Sequence, residues 1–550
     1  MSDRSELDSV FGARPGETPM GMVVGGSLSA GLDVKLDPHL SIERLAVGRY
    51  VVIEGRSGRR FFGLITDIGL DATNPDLPRM PPQTGDAFVA EVFARQVAFG
   101  TMHVSPMLML DPDDAEPRPI KTIPAHFAPV MEASAQDVES VFGAADATHF
   151  HLGSPLDMEN VQVNLDLKRF VERSSGVFGK SGTGKSFITR ILLAGIVRSR
   201  LASTLIFDMH NDYGWAVKDE AGREFKGLRQ LFTSGQVSVF TLDEASSLAR
   251  QSHSDKTLRI GYQQIEPEDL ELLAGLLGLN DVQIGALFTL HRRLQDSWIE
   301  RILADEPDQM IKDLIEEGHI QDVTFDAVRR RLQRLRRMDF LVPGRGEEFV
   351  EDLFTRLNMP SSVVLEFGKY GTNLAAYLLV ANFITRRLHR RYVGQMDLAA
   401  GKKAEEPKPL VIVIEEAHKF LDPSIASDTI FGIIARELRK YRVTLLIVDQ
   451  RPSGIDDEVM SQIGTRVTCL LDNEADIRAV FSGVSGAAAL REVLARLDTR
   501  QQALILGHAV PMPVVVRTRD YDQAFYAAVG APEGEALKKK AKAGSEALFG

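Results

Sequence analysis

A glycine-rich run of eight residues carries the strongest chemical signal in this chain. The run GKSGTGKS matches the phosphate-binding P-loop pattern without a gap, and the apolar-periodic stretch Phe187–Val197 follows it. Backbone N–H groups of such a loop turn towards phosphates, and the N-terminus of the following helix adds partial positive charge. We expect Lys185 to reach the β- and γ-phosphates of ATP and Ser186 to ligate Mg²⁺. The predicted phosphate-binding residues are Gly179, Lys180, Ser181, Gly182, Thr183, Gly184, Lys185 and Ser186.

Two adjacent acids follow an apolar strand-like run further along the chain. Leu410–Ile414 is apolar throughout and is followed at once by Glu415 and Glu416. Glu415 occupies the position of an acid associated with Mg²⁺, and Glu416 is placed to polarise water for in-line attack on the γ-phosphate. Adjacent acids after a strand also occur simply as the N-terminus of a helix. The upstream P-loop favours the catalytic interpretation, with Glu415 as a metal ligand beside Ser186.

Polar residues also end two other strand-like runs. Asp449 and Gln450 follow Thr444–Val448, and Asp208 follows Thr204–Phe207. A glutamine at this position can contact the γ-phosphate and report hydrolysis, although it can also be a plain polar strand end. Asp208 is expected at the carboxyl edge of the sheet, where ligands of such folds bind. The alternative is that Asp208 belongs to a cluster that caps a helix.

Bringing these residues together requires a parallel sheet, and the pattern from Val171 onward predicts one. Apolar runs alternate with helical stretches, which is typical of an α/β fold, and several runs are apolar throughout, as in strands covered on both faces. The predicted strands are Val177–Phe178, Thr204–Phe207, Val363–Phe367, Leu410–Ile414, Thr444–Val448, Val467–Leu471 and Ala503–Leu506.

The rest of the chain divides by pattern. Short β-type runs with close turns predict a small N-terminal β-barrel, from Met22–Val24, Tyr50–Ile53, Phe61–Ile65 and Ala87–Phe93. A stretch without strand runs predicts an inserted helical bundle, and the polar segment 394–409 predicts a loop. The predicted divisions are a flexible lead-in at 1–18, the barrel at 19–125, the first part of the ATPase core at 126–244, the helical insertion at 245–355, the second part of the core at 356–530, and a tail at 531–550.

Composition excludes several classes of protein. The 550 residues are 44% apolar and 25% charged, which excludes a mostly disordered or collagen-like chain, and one cysteine excludes an intrachain disulfide framework. No apolar run reaches the length of a membrane-spanning helix, so we expect a cytoplasmic protein without a membrane partner. The net charge is −12, but residues 1–150 hold 12 basic and 21 acidic residues, while the other 400 hold 52 and 55. Overall acidity therefore does not exclude DNA as a partner.

With these motifs in place, the chain resembles HerA-type hexameric DNA translocases, in the HerA/FtsK group of P-loop ATPases. Gly21–Ile68 is similar to the barrel that begins members of that family. Five segments resemble its successive motifs in order: FVERSSGVFGKSGTGKS, DMHNDYG, VIVIEEAHKF, IARELRKYRVTLLIVDQRPSGID and SQIGTRV. The resemblance implies a RecA-like P-loop ATPase core and a homo-hexameric ring.

The resemblance also implies roles for individual residues. Lys185, Ser186, Asp208, Glu416 and Gln450 are expected to serve nucleotide binding and hydrolysis. Arg173, and either Arg436 or Arg439, match positions near the nucleotide of an adjoining subunit, where a guanidinium would stabilise transition-state charge. For the latter pair the alternative is a solvated helix face. Two residues depart from the family pattern: Glu415 replaces the commoner aspartate, and Asp449 stands where a small hydroxyl residue is more usual.

The implied partner is double-stranded DNA, gripped through its phosphates. Two basic clusters are candidates: Arg329, Arg330, Arg331, Arg334, Arg336 and Arg337, or Arg386, Arg387, Arg390 and Arg391. We favour 386–391, because it lies on the helix that follows the strand Val363–Phe367 of the motor core. For both clusters the alternative is a solvated face or salt bridges to the acids of the barrel.

A NurA-type or other effector nuclease is the partner protein implied by the resemblance, in DNA-end resection or phage defence. The leading hypothesis is thus a ring-shaped motor that translocates DNA. A nucleotide-gated scaffold for an effector nuclease and a secretion or conjugation ATPase are the alternatives.

Overall fold

A computed structural model describes residues 19–73, 98–112, 117–156, 158–218, 222–426, 429–437, 440–484, 487–498 and 501–530. The chain falls into two compact units. The first, called the barrel unit, comprises Met1–Phe170, Phe178–Lys185 and Gly464–Arg519. The second, called the parallel-sheet unit, comprises Val171–Val177, Ser186–Ile463 and Asp520–Gly550.

Six antiparallel strands of the barrel unit close into a small barrel. Closure occurs because Gly31–Leu36 pairs with Gly21–Ser27 on one side and with Ala98–Leu110 on the other. Val34, Val51 and Val104, all fully buried, belong to its core. The six strands are Gly21–Ser27, Gly31–Leu36, Tyr50–Glu54, Arg60–Ala72, Ala98–Leu110 and Pro129–Glu132, with Arg118–Pro119 at the edge.

The predicted barrel is confirmed, and it differs in two details from the sequence pattern. Its strand Pro129–Glu132 lies beyond residue 125, where the pattern ended the barrel. The predicted strand Ala87–Phe93 lies outside the described residues.

The barrel unit also contains an antiparallel set of strands, and this corrects the prediction of a wholly parallel sheet. Thr465–Thr468 pairs antiparallel with Gln502–Gly507, although both were predicted as parallel strands. All residues of Thr465–Thr468 and the four central residues of Gln502–Gly507 are buried, so these strands are covered on both faces. Their apolar runs therefore have the same pattern as those of buried parallel strands. The remaining elements of the set are the strands His149–Pro155, Val163–Asp166 and Val514–Thr518 and the helices Ala135–Phe142, Glu474–Val480 and Ala487–Ala495.

The parallel-sheet unit is built as the α/β pattern predicts. Ser203–Asp208 pairs in parallel with Ser362–Glu366 on one side and Leu410–Glu415 on the other, and Leu410–Glu415 pairs in parallel with Val443–Asp449. All residues of these four strands are buried. Their carboxyl ends meet at one edge of the sheet, and each of the four ends in an acid. The outer strands are Val237–Thr241 and Lys256–Thr257.

Helices make up most of the segment 245–355, which was predicted as a helical insertion. The segment is not wholly helical, because its residues Lys256–Thr257 form a strand that pairs within the main sheet. Trp298 is fully buried there and donates its indole N–H to the carbonyl of Ile265 at 3.0 Å. The helices of this segment are Glu244–Ala249, Pro267–Glu271, Ala274–Leu277, Asp281–Leu294, Trp298–Leu303, Gln309–Glu316, Asp322–Leu332 and Phe349–Leu357, and a short strand pair joins Ile260–Gly261 to Leu341–Val342. The other helices are Leu167–Val171, Lys185–Ser199, Leu228–Leu231, Leu374–Ala400, Ile430–Glu437, Asp457–Gln462 and Gln523–Val529.

The loop predicted at 394–409 is wrong in its first half. The helix Leu374–Ala400 continues through Gly394 and ends at its cap, Gly401. Residues 395–400 are mostly good helix formers, so a single glycine costs too little to stop the helix. No helix in the described part of the chain is long and apolar enough to cross a membrane.

Candidate active site

The P-loop lies in the barrel unit, between the strand Ser175–Phe178 and the helix Lys185–Ser199. Gly179, Gly182 and Gly184 adopt positive φ angles of 153°, 79° and 97°. A Cβ atom at Gly179 would lie 2.7 Å from the Cβ of Cys469, so this position also requires glycine for space. A Cβ at Gly182 or Gly184 would meet nothing within 4 Å, so both glycines are required by backbone conformation alone and face open space.

Hydrogen bonds fold this loop around the carbonyl oxygen of Lys180. That oxygen accepts bonds from Thr183 Oγ1 at 2.7 Å and from Lys185 Nζ at 3.2 Å. The backbone N–H of Lys180 donates to the carbonyl of Leu470 at 3.0 Å, and its ammonium pairs with Asp472 at 2.5 Å. The open space beside Gly182 and Gly184, together with the nearby ammonium of Lys185, suits a polyphosphate, as the motif predicts.

In the parallel-sheet unit, Asp208 anchors the loop that follows its own strand. The buried carboxylate accepts backbone N–H bonds from Asp212 at 2.7 Å, Tyr213 at 2.9 Å and Gly214 at 3.3 Å. Burial raises the pKa of Asp208 to about 6, against the lowering effect of these bonds. Asp208 therefore holds the loop after its own strand, whereas the alternative weighed from the sequence was the cap of a helix; the next described element is the strand Val217–Lys218.

Two tyrosines hold Glu415 through three hydrogen bonds, and one oxygen of its carboxylate remains unbonded among the described residues. Tyr213 donates its hydroxyl to Oε1 of Glu415 at 2.8 Å. The hydroxyl of Tyr377 accepts from the backbone N–H of Glu415 at 3.1 Å and donates to its carbonyl at 3.0 Å. Oε2 is buried and has no hydrogen-bond partner among the described residues. Burial, and then the nearby Asp208, raise the pKa of Glu415 to about 8. An unpartnered buried carboxylate oxygen fits a ligand to Mg²⁺ or to its water.

A third buried acid, Glu366, was missed by the sequence. It ends the strand Ser362–Glu366 and is in register with Asp208. Burial, and then Asp208, raise its pKa to about 7, while Arg250 lies 3.2 Å from its Oε2. In the sequence, Glu366 lies inside the predicted strand Val363–Phe367, because the apolar Phe367 follows it. Its position one residue before the end of that predicted strand was the only available signal.

Glu416 and Gln450 are in direct contact, as their strand positions predict. Nε2 of Gln450 donates to Oε1 of Glu416 at 2.9 Å. The Glu416 side chain is 28% exposed, so its carboxylate is open to water while Glu415 beside it is buried. Glu416 has a left-handed backbone, with φ 49° and ψ 44°, which turns the chain sharply after the strand.

The three candidate arginines differ in their surroundings. Nε of Arg173 is buried without a hydrogen-bond partner in the described chain. Arg436 donates from Nη2 to the carbonyl of Ala426 at 2.6 Å and lies 3.9 Å from Glu458. Arg439 lies outside the described residues.

The favoured DNA-binding cluster at 386–391 is neutralised by acids. Arg386 and Arg387 bind the fully buried Asp269 at 2.8 Å and 3.0 Å. Arg390 binds Glu266 at 3.1 Å, and Arg391 binds Glu351 at 2.6 Å. The salt-bridge alternative therefore describes this cluster, although its acids come from the helical segment. The preference for 386–391 is not supported by these contacts.

The cluster at 329–337 bonds backbone carbonyls instead of acids. Arg334 donates to Leu276 at 3.0 Å, Arg331 bonds Gly278, and Arg336 bonds Leu303. These carbonyls end the helices Ala274–Leu277 and Trp298–Leu303, where cations are favourable. The exposed Arg330, Arg334, Arg336 and Arg337 have no acidic partner within the described residues, so their charge is not cancelled by an ion pair.

A P-loop, together with parallel strands that end in acids and a glutamine, defines a P-loop ATPase with a RecA-like core. Residues 150–388 match the family model described as "Helicase HerA, central domain". By this match and by its curated relatives, the chain is similar to HerA-type proteins, which are ATP-hydrolysing enzymes.

Several of the similar curated proteins share one description. The DNA double-strand break repair helicase HerA of Sulfolobus acidocaldarius is 24% identical over 87% of this chain and 90% of its own length. The protein of the same name from Pyrococcus furiosus is 23% identical over 72% of this chain and 73% of its own. Among solved structures, VirB4 of Thermoanaerobacter pseudethanolicus is similar over 70% of this chain and 99% of its own, with 14% identity and a TM-score of 0.46.

Proposed function

We propose that this protein hydrolyses ATP to translocate double-stranded DNA, as a homo-hexameric ring. The contact of Glu416 with Gln450 at 2.9 Å carries the proposal, because it joins a solvent-open carboxylate to an amide at neighbouring strand ends. The names of the HerA relatives support DNA as the partner.

Each site residue has a proposed task. Lys185 neutralises the β- and γ-phosphates, and Glu416 accepts the proton of the attacking water. Gln450 holds one oxygen of Glu416 and, by the same amide, can sense the γ-phosphate. Tyr213 and Tyr377 fix Glu415, whose unbonded Oε2 would be available to hold the metal.

Ser186 and Glu415 are the proposed protein ligands of Mg²⁺. The described residues contain no group of three His, Cys, Asp or Glu side chains able to hold a metal ion. These two residues would therefore bind the ion together with phosphates and water. When bound, Mg²⁺ would neutralise phosphate charge.

For DNA, the contacts favour the 329–337 cluster over 386–391. A protein that grips any sequence does so by neutralising phosphates, and an arginine already paired with a buried acid cannot do this without leaving that acid unpaired. The exposed Arg330, Arg334 and Arg337 are therefore the proposed phosphate contacts. A NurA-type or other effector nuclease remains the proposed partner protein, in end resection or phage defence.

The experiment is ATP hydrolysis with and without duplex DNA, followed by displacement of a protein roadblock from that duplex. We expect duplex of any sequence to stimulate hydrolysis and the roadblock to be displaced only with ATP. If duplex DNA left the rate of ATP hydrolysis unchanged and the roadblock stayed in place, the motor would be rejected in favour of a nucleotide-gated scaffold. The Lys185→Ala variant is the control for contaminating ATPase, because it loses the counter-charge to the phosphates.

A further inference from the structure

The turn that carries Glu416 is fixed by the acid at the end of the neighbouring strand. Asp449 is fully buried and accepts two hydrogen bonds from His418, one from its backbone N–H at 2.8 Å and one from Nδ1 at 3.0 Å. The His418 side chain is only 13% exposed and lies against Gly454, where a Cβ atom would approach it to 3.1 Å. These contacts fix both the backbone and the ring of His418.

The same ring nitrogen also faces the proposed catalytic carboxylate. Nδ1 of His418 lies 3.6 Å from Oε2 of Glu416, and both of its neighbours are carboxylates that accept hydrogen bonds. Nδ1 must therefore carry the proton, an assignment that follows from its partners. Gln450 donates to the other oxygen, Oε1, at 2.9 Å. Oε1 of Glu416 thus accepts from Gln450, while Oε2 lies beside the His418 ring, whose Nδ1–H is donated to Asp449. Asp449 and Gln450 are consecutive residues, so one strand end supplies both the acid that holds the ring and the amide that holds the carboxylate.

We propose that His418, oriented by Asp449, is a positioning residue that directs the Glu416 carboxylate towards the attacking water. The inference rests on the proposed function, in which Glu416 is the base. It also gives a task to the acid at position 449, where a small hydroxyl residue would be more usual: Oδ2 of Asp449 accepts both the backbone N–H and the ring N–H of His418. Without this pair Glu416 is held by Gln450 alone and can rotate about that single contact.

Three variants test the proposal in the DNA-stimulated ATPase assay: His418→Leu, Asp449→Asn and His418→Asn. The first two should lower kcat at least ~10-fold and leave the KM for ATP within about twofold, because misplacing a catalytic group affects the transition state more than binding. His418→Asn should retain most of kcat, since its amide N–H can reach the place of Nδ1–H. Near wild-type kcat in both His418→Leu and Asp449→Asn would overturn the proposal.

A double variant separates positioning from general damage. If His418 acts through Glu416, adding His418→Leu to Glu416→Gln should lower the residual hydrolysis no further. Equal multiplicative losses in both backgrounds would mean that His418 only supports the fold. Asp422→Asn is the matched control, because it removes a carboxylate from the same segment whose side chain bonds Ser424.

The control variant should keep wild-type kcat. A wild-type protein without ATPase activity would reject the proposed function itself, whereas an active wild type with a slow Glu416→Gln and a fast His418→Leu rejects only the positioning role.

Discussion

At the residue scale, catalysis is proposed to depend on one exposed carboxylate beside a buried one. Glu416→Gln keeps the shape of the side chain and removes its ability to accept the proton of water. We expect ATP binding to persist and hydrolysis to fall by about 10²–10⁴-fold, the usual contribution of a general base. Equilibrium binding of a fluorescent ATP analogue and steady-state hydrolysis measure the two effects. Turnover near the wild-type rate would assign the base to another residue.

The buried acids make a second prediction, about stability and pH. Glu415 has a folded-state pKa of about 8, above its usual value, so the folded state holds a proton that the unfolded state has lost above about pH 5. Stability therefore falls as pH rises through this window. Glu415→Gln cannot ionise, so without Mg²⁺ or nucleotide it should melt higher than wild type at pH 8.

Thermal melting of both proteins from pH 5 to pH 9 measures this difference. The gap in Tm should narrow towards pH 5, where wild type and variant are both uncharged at this position in the folded state. Asp313→Asn is a control, because this exposed acid lies in the helix Gln309–Glu316 and its side chain accepts a hydrogen bond from Gln309. If the Tm of wild type and of Glu415→Gln changed in parallel with pH, the raised pKa of Glu415 would be contradicted.

Sequence reasoning worked at this scale where a polar residue directly followed an apolar run. Glu416 and Gln450 stood out in this way, and the structure brings them into contact. Glu366 did not stand out, because the apolar Phe367 follows it and the acid therefore falls inside the predicted strand Val363–Phe367. His418 was invisible, since nothing in its own neighbourhood indicates that Asp449, from another strand, fixes its ring.

At the element scale, the two arginine clusters show why charge in a sequence does not specify a surface. Both are dense, and both lie on or beside helices, but their partners come from segments far away in the chain. Arg387 bonds Asp269, and Arg334 bonds the carbonyl of Leu276. Periodicity predicts that these residues share a helical region, and it carries no information on whether an acid or a carbonyl faces them.

Replacing each cluster separately tests the difference. Arg330, Arg334 and Arg337 changed together to Gln should flatten the dependence of DNA affinity on salt, because each lost phosphate contact lowers the log–log slope by about one. ATP hydrolysis without DNA should change little. The matched control is Arg390 and Arg391 changed to Gln, which removes exposed arginines that are already paired with Glu266 and Glu351. A flattened slope in the control alone would return the DNA path to 386–391.

At the scale of the whole molecule, the sequence predicted the kinds of element better than their pairing. The barrel and the parallel strands were predictable, because short strands with close turns and apolar runs between helices have distinct patterns. Thr465–Thr468 and Gln502–Gly507 were predicted with the wrong direction, because burial on both faces gives parallel and antiparallel strands the same composition. Strand direction depends on the path of the connections, which an apolar run does not contain.

The last prediction concerns assembly. Nε is buried and unbonded among the described residues in both Arg173 and Arg436, but Arg436 already donates from Nη2 to the carbonyl of Ala426, so Arg173 is the better proposed donor to a neighbour's nucleotide. Arg173→Ala should still bind ATP, and mixed into wild-type rings it should suppress hydrolysis more than in proportion to its share. Light scattering with Mg²⁺ and an ATP analogue should give six subunits for both proteins.

The matched control for mixing is Arg198→Ala, which removes an exposed arginine from the last turn of the helix Lys185–Ser199. Its mixed rings should lose no more activity than dilution explains, because that side chain lies at the end of the helix opposite the P-loop. Strictly additive activity in rings that contain Arg173→Ala would show that each subunit hydrolyses ATP alone. In that case Arg173 serves its own subunit, and ring closure is not needed to complete the site.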